Sequence, residues 1–430
     1  MPHQKRIALV DCNNFYVSCE RVFRPDLWHK PVAVLSNNDG CIVARSQEVK
    51  DLGVKMGTPV FQIEKLIKKH RIQLFSSNYT LYADMSSRVM SILEGFSPNI
   101  EVYSIDESFL DITGISHKDP IAYGLCIRKT ILQNTGITVC VGMGPTKTLA
   151  KLANFAAKKW HKTGGVLDLC CPERREKLMR IVPVNEVWGI GSRITKRLNQ
   201  LGIITVWDLA SQPVDRIQSQ FNIVVARTVM ELNGISCLSL DEIAPAKQQI
   251  VCSRSFKRRL TECDELSEAL AEFCSRAAEK LRKQHSVTGA ITVFIRTNPH
   301  SEHDPFYQRT ASLPLTQATQ DTRHIVGIAK RLLQQIFKAG FRYQQCGVQL
   351  SDICPESTPG QIDLFEFSDQ ARQDNSTALM KTIDQINRRF HKRAITVAAT
   401  GLDQRWQVKI ENVSSRYTTD WDELVRVKCS

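Results

Sequence analysis

The sequence predicts an α+β protein with several domains, and three stretches of the chain carry that prediction. Residues 1–165 alternate short apolar strands with helical runs. Residues from about 172 to 235 are predicted to form small helices. Residues from about 242 to 355 follow the order β-α-β-β-α-β, which describes a split sheet with two helices on one face. A chain of 430 residues has room for two to four such domains.

The individual elements follow from hydrophobic periodicity. In the first stretch we expect strands at 5–11, 32–36, 101–112 and 137–143 and helices near 79–95, 119–134 and 146–160. In the last stretch we expect strands at 249–256, 288–297, 306–314 and 344–351 and helices at 264–284 and 321–338. Turn residues at 36–40 indicate that the segment 31–61 is inserted between the first strand and the one at 101–112.

Composition narrows the class of protein. Hydrophobic residues make up 42% of the chain and charged residues 23%, which is normal for a globular protein. No run of eighteen apolar residues occurs, and the basic start leads into a strand with Asp11, so we expect a cytoplasmic protein with no membrane segment. The 14 cysteines include no Cys-x-x-Cys pair, so we expect free thiols and no structural metal.

The positive charge is concentrated in two stretches. The whole chain carries a net charge of +13. Residues 144–200 contain 12 Lys/Arg against 4 Asp/Glu, and residues 242–355 contain 16 against 11. Either stretch alone could be a solvated basic face. Two together favour a nucleic-acid-binding protein.

Two segments about ninety residues apart place carboxylates in strand contexts. Asp11 ends the apolar run 7–10, and Asp106 and Glu107 lie within the β-prone run 102–109. Two Mg²⁺ ions about 3.5–4 Å apart, held by such acids, can serve both oxygens of a phosphoryl transfer, so we expect a nucleotidyl transferase. The alternative is a capping Asp and a solvent-facing acid pair. Neighbouring strand residues face opposite sides, so Asp106 and Glu107 reach one site only where the strand bends or ends.

The predicted helix at 146–160 gathers three lysines. Lys147, Lys151 and Lys158 fall within a narrow arc, opposite an apolar stripe. A solvated face is one interpretation, and neutralisation of a triphosphate by one lysine is the other. The preceding Gly142–Thr148 lacks the Gly-Lys-Ser/Thr ending of a P-loop, which excludes that class of ATPase.

A glycine-rich turn lies in the helical stretch. Val187–Arg193 contains Gly189 and Gly191, and Leu201-Gly202-Ile203 follows an amphipathic helix. Glycines between two short helices let backbone N–H groups approach a phosphate closely, as in a helix-hairpin-helix clasp on DNA. A dinucleotide fold is the alternative, but neither a third glycine at the required spacing nor a preceding strand is present.

The end of the sequence contains a candidate recognition peptide. A Pro/Gly-containing linker at 354–360 is followed by Gln361-Ile362-Asp363-Leu364-Phe365. Two exposed apolar side chains after a linker indicate a peptide that inserts into a partner's groove, although packing back on the protein is the alternative. The tail from about 375 contains one amphipathic helix and no catalytic constellation.

Taken together, the motifs identify a resemblance to the Y-family (translesion) DNA polymerases, and within that family to the UmuC-type members. The resemblance runs from the first strand to the end of the chain. It is carried by Asp-Cys-Asn-Asn-Phe-Tyr-Val-Ser-Cys-Glu (11–20), Ser-Asn-Asn-Asp-Gly-Cys (36–41), Gly-Val-Lys-Met-Gly (53–57), Tyr-Ser-Ile-Asp-Glu-Ser (103–108), Thr-Lys-Thr-Leu-Ala-Lys-Leu-Ala-Asn (146–154), Val-Trp-Gly-Ile-Gly (187–191) and Ala-Gly-Phe-Arg-Tyr (339–343).

The resemblance implies a right-handed polymerase. It implies a palm at 1–165 with fingers inserted at about 22–76, a helix-hairpin-helix thumb at 166–240, a β-α-β-β-α-β little finger at 241–354, a linker with a clamp-binding peptide at 355–368, and a UmuC-type C-terminal extension at 369–430.

It also implies roles for single residues. Asp11, Asp106 and Glu107 match the acids that hold two Mg²⁺ ions, with the carbonyl of Cys12 as a further ligand. Phe15 and Tyr16 match the aromatic pair under the nucleotide sugar, where the second ring is a steric gate against a 2′ hydroxyl. The other implied positions are Lys158, Arg45 and Lys50 for the triphosphate, Gly189, Gly191, Arg193, Lys196 and Arg254 for DNA, and Gln361, Leu364 and Phe365 for the clamp.

The fingers depart from the family pattern. Where many members have a Tyr and an Arg at the triphosphate, this chain has Gln47 and Lys50, and Arg45 is expected to compensate. The implied partners are primer–template DNA, deoxynucleoside triphosphates, a β sliding clamp, a UmuD′-type dimer and RecA, at the bacterial nucleoid.

We therefore expect an error-prone, template-directed DNA polymerase that performs translesion synthesis in the SOS response. The rival is a non-catalytic scaffold that binds DNA and the clamp with the same fold. Retention of Asp11, Asp106 and Glu107 favours the enzyme, since a scaffold would not need all three.

Overall fold

The computed structural model describes residues 5–115, 119–240, 246–357, 370–390, 394–401 and 410–424. The chain divides into two units, Met1–Ala244 with Glu411–Ser430 and Pro245–Ile410. In chain order the first unit contains β1 (Ile7–Cys12), α1 (Phe15–Phe23), β2 (Val32–Leu35), β3 (Ile42–Arg45), α2 (Gln47–Asp51), α3 (Glu64–His70), β4 (Gln73–Ser76), α4 (Tyr79–Glu94), β5 (Ile100–Val102), β6 (Glu107–Asp111), α5 (Pro120–Thr135), β7 (Val139–Gly144), α6 (Lys147–Lys159), β8 (Val166–Asp168), α7 (Pro172–Ile181), α8 (Ser192–Gln200), α9 (Val206–Ala210), α10 (Val214–Gln220) and α11 (Ile223–Leu232). The second unit contains β9 (Ile250–Leu260), α12 (Cys263–Lys283), β10 (Ser286–Thr297), β11 (Gln308–Thr319), α13 (Thr322–Ile336), β12 (Tyr343–Pro355) and α14 (Gln370–Phe390).

A five-stranded sheet in the order β5-β6-β1-β7-β8 forms the base of the first unit. Strand β1 is buried along its whole length and lies between β6 and β7, antiparallel to both. Helices α1, α4 and α5 share one apolar core with this sheet. Helix α6 packs against β1 and β7, and its first turn is capped by Thr146, whose hydroxyl accepts from Leu149 N–H.

Two smaller modules complete the first unit. A three-stranded sheet in the order β3-β2-β4 shares an apolar core with α2 and α3. Helices α7 to α11 form a helical cluster whose core includes the apolar face of α6. The apolar stripe of α6 is therefore used for packing, as its periodicity predicts.

The second unit is an antiparallel sheet in the order β11-β10-β12-β9. Helices α12 and α13 pack on it around one core. The predicted β-α-β-β-α-β order is confirmed, and β11 continues to Thr319, five residues beyond its predicted end.

Several short elements of the structure were not predicted, namely α1, α2, α3, β3, β4 and β8, and one predicted strand differs from the structure. The single strand expected at 101–112 is a hairpin of β5 and β6, because residues 103–106 form a turn. Every cysteine in the described ranges is a free thiol, as predicted. None of the described helices is long and apolar enough to cross a membrane.

Candidate active site

The β5–β6 hairpin turn brings two acids to one end of the sheet. The hydroxyl of Ser104 accepts from the N–H groups of Asp106 and Glu107 at 3.3 and 3.0 Å and donates to Asp106 Oδ1 at 2.6 Å. The N–H groups of Tyr103 and Ser104 both donate to the carbonyl of Glu107 at 3.1 Å. Asp106 thus ends the turn and Glu107 begins β6, which meets the condition that the chain must bend there.

Sheet register places the third acid opposite this turn. Asp11 is the partner of Glu107 in the β1–β6 ladder, and Cys12 N–H donates to the Asp106 carbonyl at 2.8 Å. Burial raises the pKa of Asp11 to about 7 against the opposing effect of Lys158, and a hydrogen bond with Glu107 adds to the rise. Burial also works against ionisation of Glu107, but its contacts with Asp11 and Lys151 outweigh burial, so the pKa of Glu107 is lowered.

Three of the four lysines of α6 each face a carboxylate of the sheet. Lys158 Nζ lies 2.5 Å from Asp11 Oδ1, and Lys151 Nζ lies 3.0 Å from Glu107 Oε2. Lys147 forms a buried ion pair with Glu101. The arc seen in the sequence is therefore a row of ion pairs and not a solvated face. Lys158 is the most exposed of the three, with 38% of its side chain accessible.

Lys50 of α2 lies near Asp11, and Arg45 at the end of β3 lies near Lys50. Lys50 Nζ donates to Asn14 Oδ1 at 2.6 Å, and Asn14 adopts a left-handed conformation just after Cys12. Burial, together with the neighbouring charges of Arg45 and Lys158, lowers the pKa of Lys50. Burial also lowers the pKa of Arg45.

Within the described ranges, one buried donor of Arg45 has no acceptor. Its Nη1 donates to the Val54 carbonyl at 2.6 Å. Its Nε is buried and meets no acceptor within the described ranges. Gln47, at the position where the family pattern differs, donates to Asp51 within the same helix. Lys50 therefore lies near Asp11 with Arg45 as its neighbour, whereas the Gln47 side chain is held within its own helix.

The predicted aromatic pair lies at the start of α1. Phe15 is buried, whereas Tyr16 is partly exposed. The Tyr16 ring stacks on Tyr82, with 4.4 Å between ring centroids and an interplanar angle of 13°. Burial and the proximity of Tyr79 and Asp106 raise the pKa of Tyr16, so its phenol stays protonated and the ring lies near the acids.

The donor chemistry of this site fits a divalent cation. Asp11 and Glu107 contact each other and offer carboxylate oxygens, which hard cations prefer. The burial that raises the pKa of Asp11 is a penalty that a bound cation would remove. In the structure Asp106 bonds to Ser104, lysines contact the other two acids, and no group of three His, Cys, Asp or Glu side chains in the described ranges is close enough to hold an ion. Burial raises the pKa of the Cys12 thiol, and the ligand predicted from the resemblance is the Cys12 carbonyl.

The predicted DNA-binding residues lie on two modules. Gly189 has φ of 86°, and Gly191 precedes the first residue of α8, whose Arg193 and Lys196 are both exposed. In the second unit, Arg254 is partly exposed on β9 and donates to the Ser253 carbonyl. Gln361, Leu364 and Phe365 lie outside the described residues.

Sequence reasoning missed three contributors to the site. The hydroxyl of Ser104 holds the turn together by its hydrogen bonds. A serine two residues before Asp106 was the feature of the sequence that could have indicated this role. Lys151 was noted on its arc without a role, yet its Nζ lies 4.4 Å from the Tyr103 ring centroid and 5.1 Å from that of Trp188. Trp188 comes from the glycine-rich turn, and its position could not be read from sequence because more than eighty residues separate it from Tyr103.

Comparisons with solved structures define the class of fold. A Y-family DNA polymerase chimera of Dbh and Dpo4 aligns with a TM-score of 0.66 at 22% identity, covering 81% of this chain and 99% of that one. An insertion ternary complex of Dbh DNA polymerase aligns with a TM-score of 0.53 at 22% identity, over 81% of this chain and 99% of that one. The fold is that of a Y-family DNA polymerase, as predicted.

Comparisons with sequences place the chain within that class. The impB/mucB/samB family model matches residues 10–154, its C-terminal domain model matches 247–364, and a domain of unknown function (DUF4113) matches 377–427. Protein UmuC of Salmonella typhimurium is 47% identical over 98% of this chain and 100% of its own length. Protein ImpB of Salmonella typhimurium is 46% identical over 97% and 98%, and DNA polymerase IV of Moorella thermoacetica is 28% identical over 92% and 96%. The chain belongs to the impB/mucB/samB family, as a UmuC-like member of the Y-family, which confirms the resemblance.

Proposed function

We propose that this protein is a template-directed DNA polymerase that performs error-prone translesion synthesis in the SOS DNA-damage response. One observation carries the proposal: Lys50 and Lys158 lie near the buried pair of Asp11 and Glu107, and Arg45 lies close enough to Lys50 to lower its pKa. Cations next to metal-binding acids are what a nucleotide triphosphate requires, since its charge must be held on both sides. The UmuC and DNA polymerase IV relatives support the same function.

In this proposal Asp11, Asp106, Glu107 and the Cys12 carbonyl hold two Mg²⁺ ions, which would activate the primer 3′ hydroxyl and neutralise the triphosphate. Lys158 would leave Asp11 for the triphosphate, and Arg45 and Lys50 would bind it from the fingers. Phe15 and Tyr16 would lie under the sugar, with Tyr16 excluding a 2′ hydroxyl. Gly189, Gly191, Arg193, Lys196 and Arg254 would contact the DNA backbone.

The proposed partners follow from the family. Gln361, Leu364 and Phe365 would bind the β sliding clamp, and a UmuD′-type dimer and RecA would bind elsewhere on the chain. The nucleoid would be the place of action. The UmuC relative, which aligns over its whole length, supports these assignments.

The first test is primer extension with Mg²⁺ on undamaged and abasic templates, with and without the clamp and a UmuD′-type dimer. Wild type should extend past the abasic site. Asp106→Ala should lower extension about 100-fold or more, the scale of removing one charge-stabilising group, while DNA affinity stays within about twofold. Asp84→Ala, which removes a helix carboxylate paired with Arg88, is the matched control and should extend like wild type.

Two outcomes would contradict the proposal. Tight DNA binding by wild type without synthesis under every combination of partners would favour the non-catalytic scaffold. Equal loss of DNA binding and extension in Asp106→Ala would mean that Asp106 supports folding and not catalysis.

A further inference from the structure

The C-terminal segment 411–424 belongs to the first unit and packs against β4, α1 and the start of α4. Ser76 N–H, at the end of β4, donates to the Asn412 carbonyl at 2.9 Å, and Asn412 N–H donates back to Ser76 Oγ at 3.0 Å. Five residues further on, the Tyr417 ring stacks on Phe23 of α1, with centroids 4.7 Å apart. The segment therefore connects the three-stranded sheet of the fingers to a palm helix.

Asn78 fixes the backbone of this segment between those two contacts. Its Nδ2 donates to the Ser414 carbonyl and to Ser414 Oγ at 3.1 Å each, and to the Ser415 carbonyl at 3.3 Å. Its Oδ1 accepts from Leu81 N–H and so caps α4. Because Asn78 and Ser414 are both buried, these bonds are shielded from water and hold the segment in one position.

The hydroxyl of Ser414 makes a hydrogen bond to a residue of the palm core. It donates to Glu20 Oε1 at 3.1 Å, and the same oxygen accepts from the Tyr82 hydroxyl at 2.6 Å. Glu20 and Tyr82 are completely buried. The other Glu20 oxygen, Oε2, is also buried and meets no donor within the described ranges, so the orientation of this carboxyl depends on the two hydroxyls.

A stack of two aromatic rings connects Tyr82 to Tyr16. Tyr82 lies nearly parallel to Tyr16, with centroids 4.4 Å apart, and Tyr16 is the residue proposed to meet the sugar. A rotation of the Tyr82 ring would disturb this stack and tilt Tyr16, because stacked rings resist independent motion in a packed core.

We propose that the segment 412–417 is a positioning element of the nucleotide site, which acts through Ser414, Glu20 and Tyr82 on the plane of the Tyr16 ring. This inference rests on the proposed function, since it gives the C-terminal extension a part in discrimination between deoxyribose and ribose. Ser414 is a positioning residue and contacts no substrate.

The test compares incorporation of a single deoxynucleotide and its ribonucleotide by the full chain. Ser414→Ala should lower the ratio of the two kcat/KM values about three- to tenfold, with most of the change in the KM values, since a loosened Tyr16 affects sugar fit. Tyr16→Ala removes the proposed gate and so gives the lowest ratio of the two kcat/KM values expected in this assay. Ser415→Ala is the matched control, because its hydroxyl makes no hydrogen bond within the described ranges, and it should keep the wild-type ratio.

A double-mutant cycle identifies the route. Tyr82→Phe keeps the stacked ring but removes the hydroxyl that bonds to Glu20, so it should lower the ratio as Ser414→Ala does. In the Tyr82→Phe background, Ser414→Ala should add little further change if both act through one pathway. Additive effects would overturn the proposal, and so would an equal loss with both sugars, which is the result expected from a purely structural role.

A spectroscopic measurement separates this inference from the proposed function. In protein labelled with 3-fluorotyrosine, the fluorine signal of Tyr16, assigned with Tyr16→Phe, should shift in Ser414→Ala and stay in place in Ser415→Ala. An unchanged Tyr16 signal in Ser414→Ala overturns the positioning role. If Tyr16→Ala leaves sugar discrimination intact, the gate assignment of the proposed function fails, while the fluorine signal still decides whether the segment positions Tyr16.

Discussion

Single residues at the site are arranged as opposed charges in a buried setting. Asp11 and Glu107 are adjacent carboxyls, and each also contacts one lysine of α6. Burial raises the pKa of Asp11, whereas the contacts of Glu107 lower its pKa. In the proposed function, this pair would exchange its lysine contacts for a metal cation and a triphosphate that bind together.

Glu20 offers a prediction at the same scale. Burial raises the pKa of Glu20 above its ordinary value of 4.5, and this outweighs the hydrogen bonds from Tyr82 and Ser414 and the charge of Arg24. A carboxyl whose folded pKa is raised contributes its stability below the unfolded pKa and loses it as pH rises through the folded pKa. The glutamine variant has no such carboxyl to ionise. The free energy of unfolding of Glu20→Gln, relative to wild type, should therefore rise as the pH increases above 4.5.

Urea denaturation of both proteins between about pH 5 and about pH 8 measures this difference, because the linkage acts above the unfolded pKa. Asp84→Asn serves as the control, since it changes a helix acid that is paired with Arg88 near the surface. A gap between Glu20→Gln and wild type that stays constant with pH would show that Glu20 titrates alike in the folded and unfolded chain.

At the scale of elements, close packing of α6 on β7 sets where its lysines lie. A Cβ at Gly142 would come within 2.1 Å of Asn154 N and 2.4 Å of the Ala150 carbonyl, so only glycine allows the helix this close to the strand. Asn154 Nδ2 donates to the carbonyls of Leu9 and Cys140 at 3.1 and 3.0 Å, which ties the helix to β1 and β7.

Gly142→Ala should therefore destabilise the protein and displace the lysine row. Overpacking typically costs about 1–3 kcal/mol, and the upper end is expected because the clashing atoms belong to the backbone. Urea denaturation measures the loss of stability, and primer extension should fall further than the folded fraction does. Gly40→Ala is the control, since a Cβ there meets nothing within 4 Å, and it should change stability by less than about 0.5 kcal/mol. If Gly142→Ala has the stability and the primer extension of wild type, α6 can move away from β7 without a loss of stability.

At the scale of the whole molecule, the net charge of +13 is shared by modules of both units. In the first unit, α8 presents Arg193 and Lys196 beside the left-handed Gly189. In the second unit, β9 carries Arg254 near Lys257 and Arg258 in the chain. A polyanion bound at either module would release counterions there, so binding should depend steeply on salt.

Replacing Arg193 and Lys196 together by Ala should weaken DNA binding and flatten its salt dependence. The slope of log affinity against log salt should fall by about 2, because each lost phosphate contact contributes about 0.9. Fluorescence anisotropy of a labelled primer–template over a series of KCl concentrations measures it. Lys68→Ala with Lys69→Ala removes the same charge from exposed positions on α3 and should leave the slope nearly unchanged. An equal change in both double variants would exclude a specific clasp at α8.

The sequence by itself determined what local patterns encode. Periodicity predicted the order of most strands and helices, and the motifs at 11–20, 103–108 and 187–191 identified the family and its candidate acids, because both depend on residues close together in the chain. Short elements such as α2 and β4 were not predicted, since four or five residues carry too little periodicity to distinguish them from loops.

Only the tertiary structure decided which distant residues meet. Sheet register placed Asp11 opposite Glu107, and the turn at Ser104 made two neighbouring acids share one end of the sheet. The pairing of Lys147, Lys151 and Lys158 with carboxylates of the sheet arises from packing between elements, and so do the bonds of Asn78 to Ser414 across 336 residues. Such contacts depend on the relative placement of whole elements, a property that no local pattern contains.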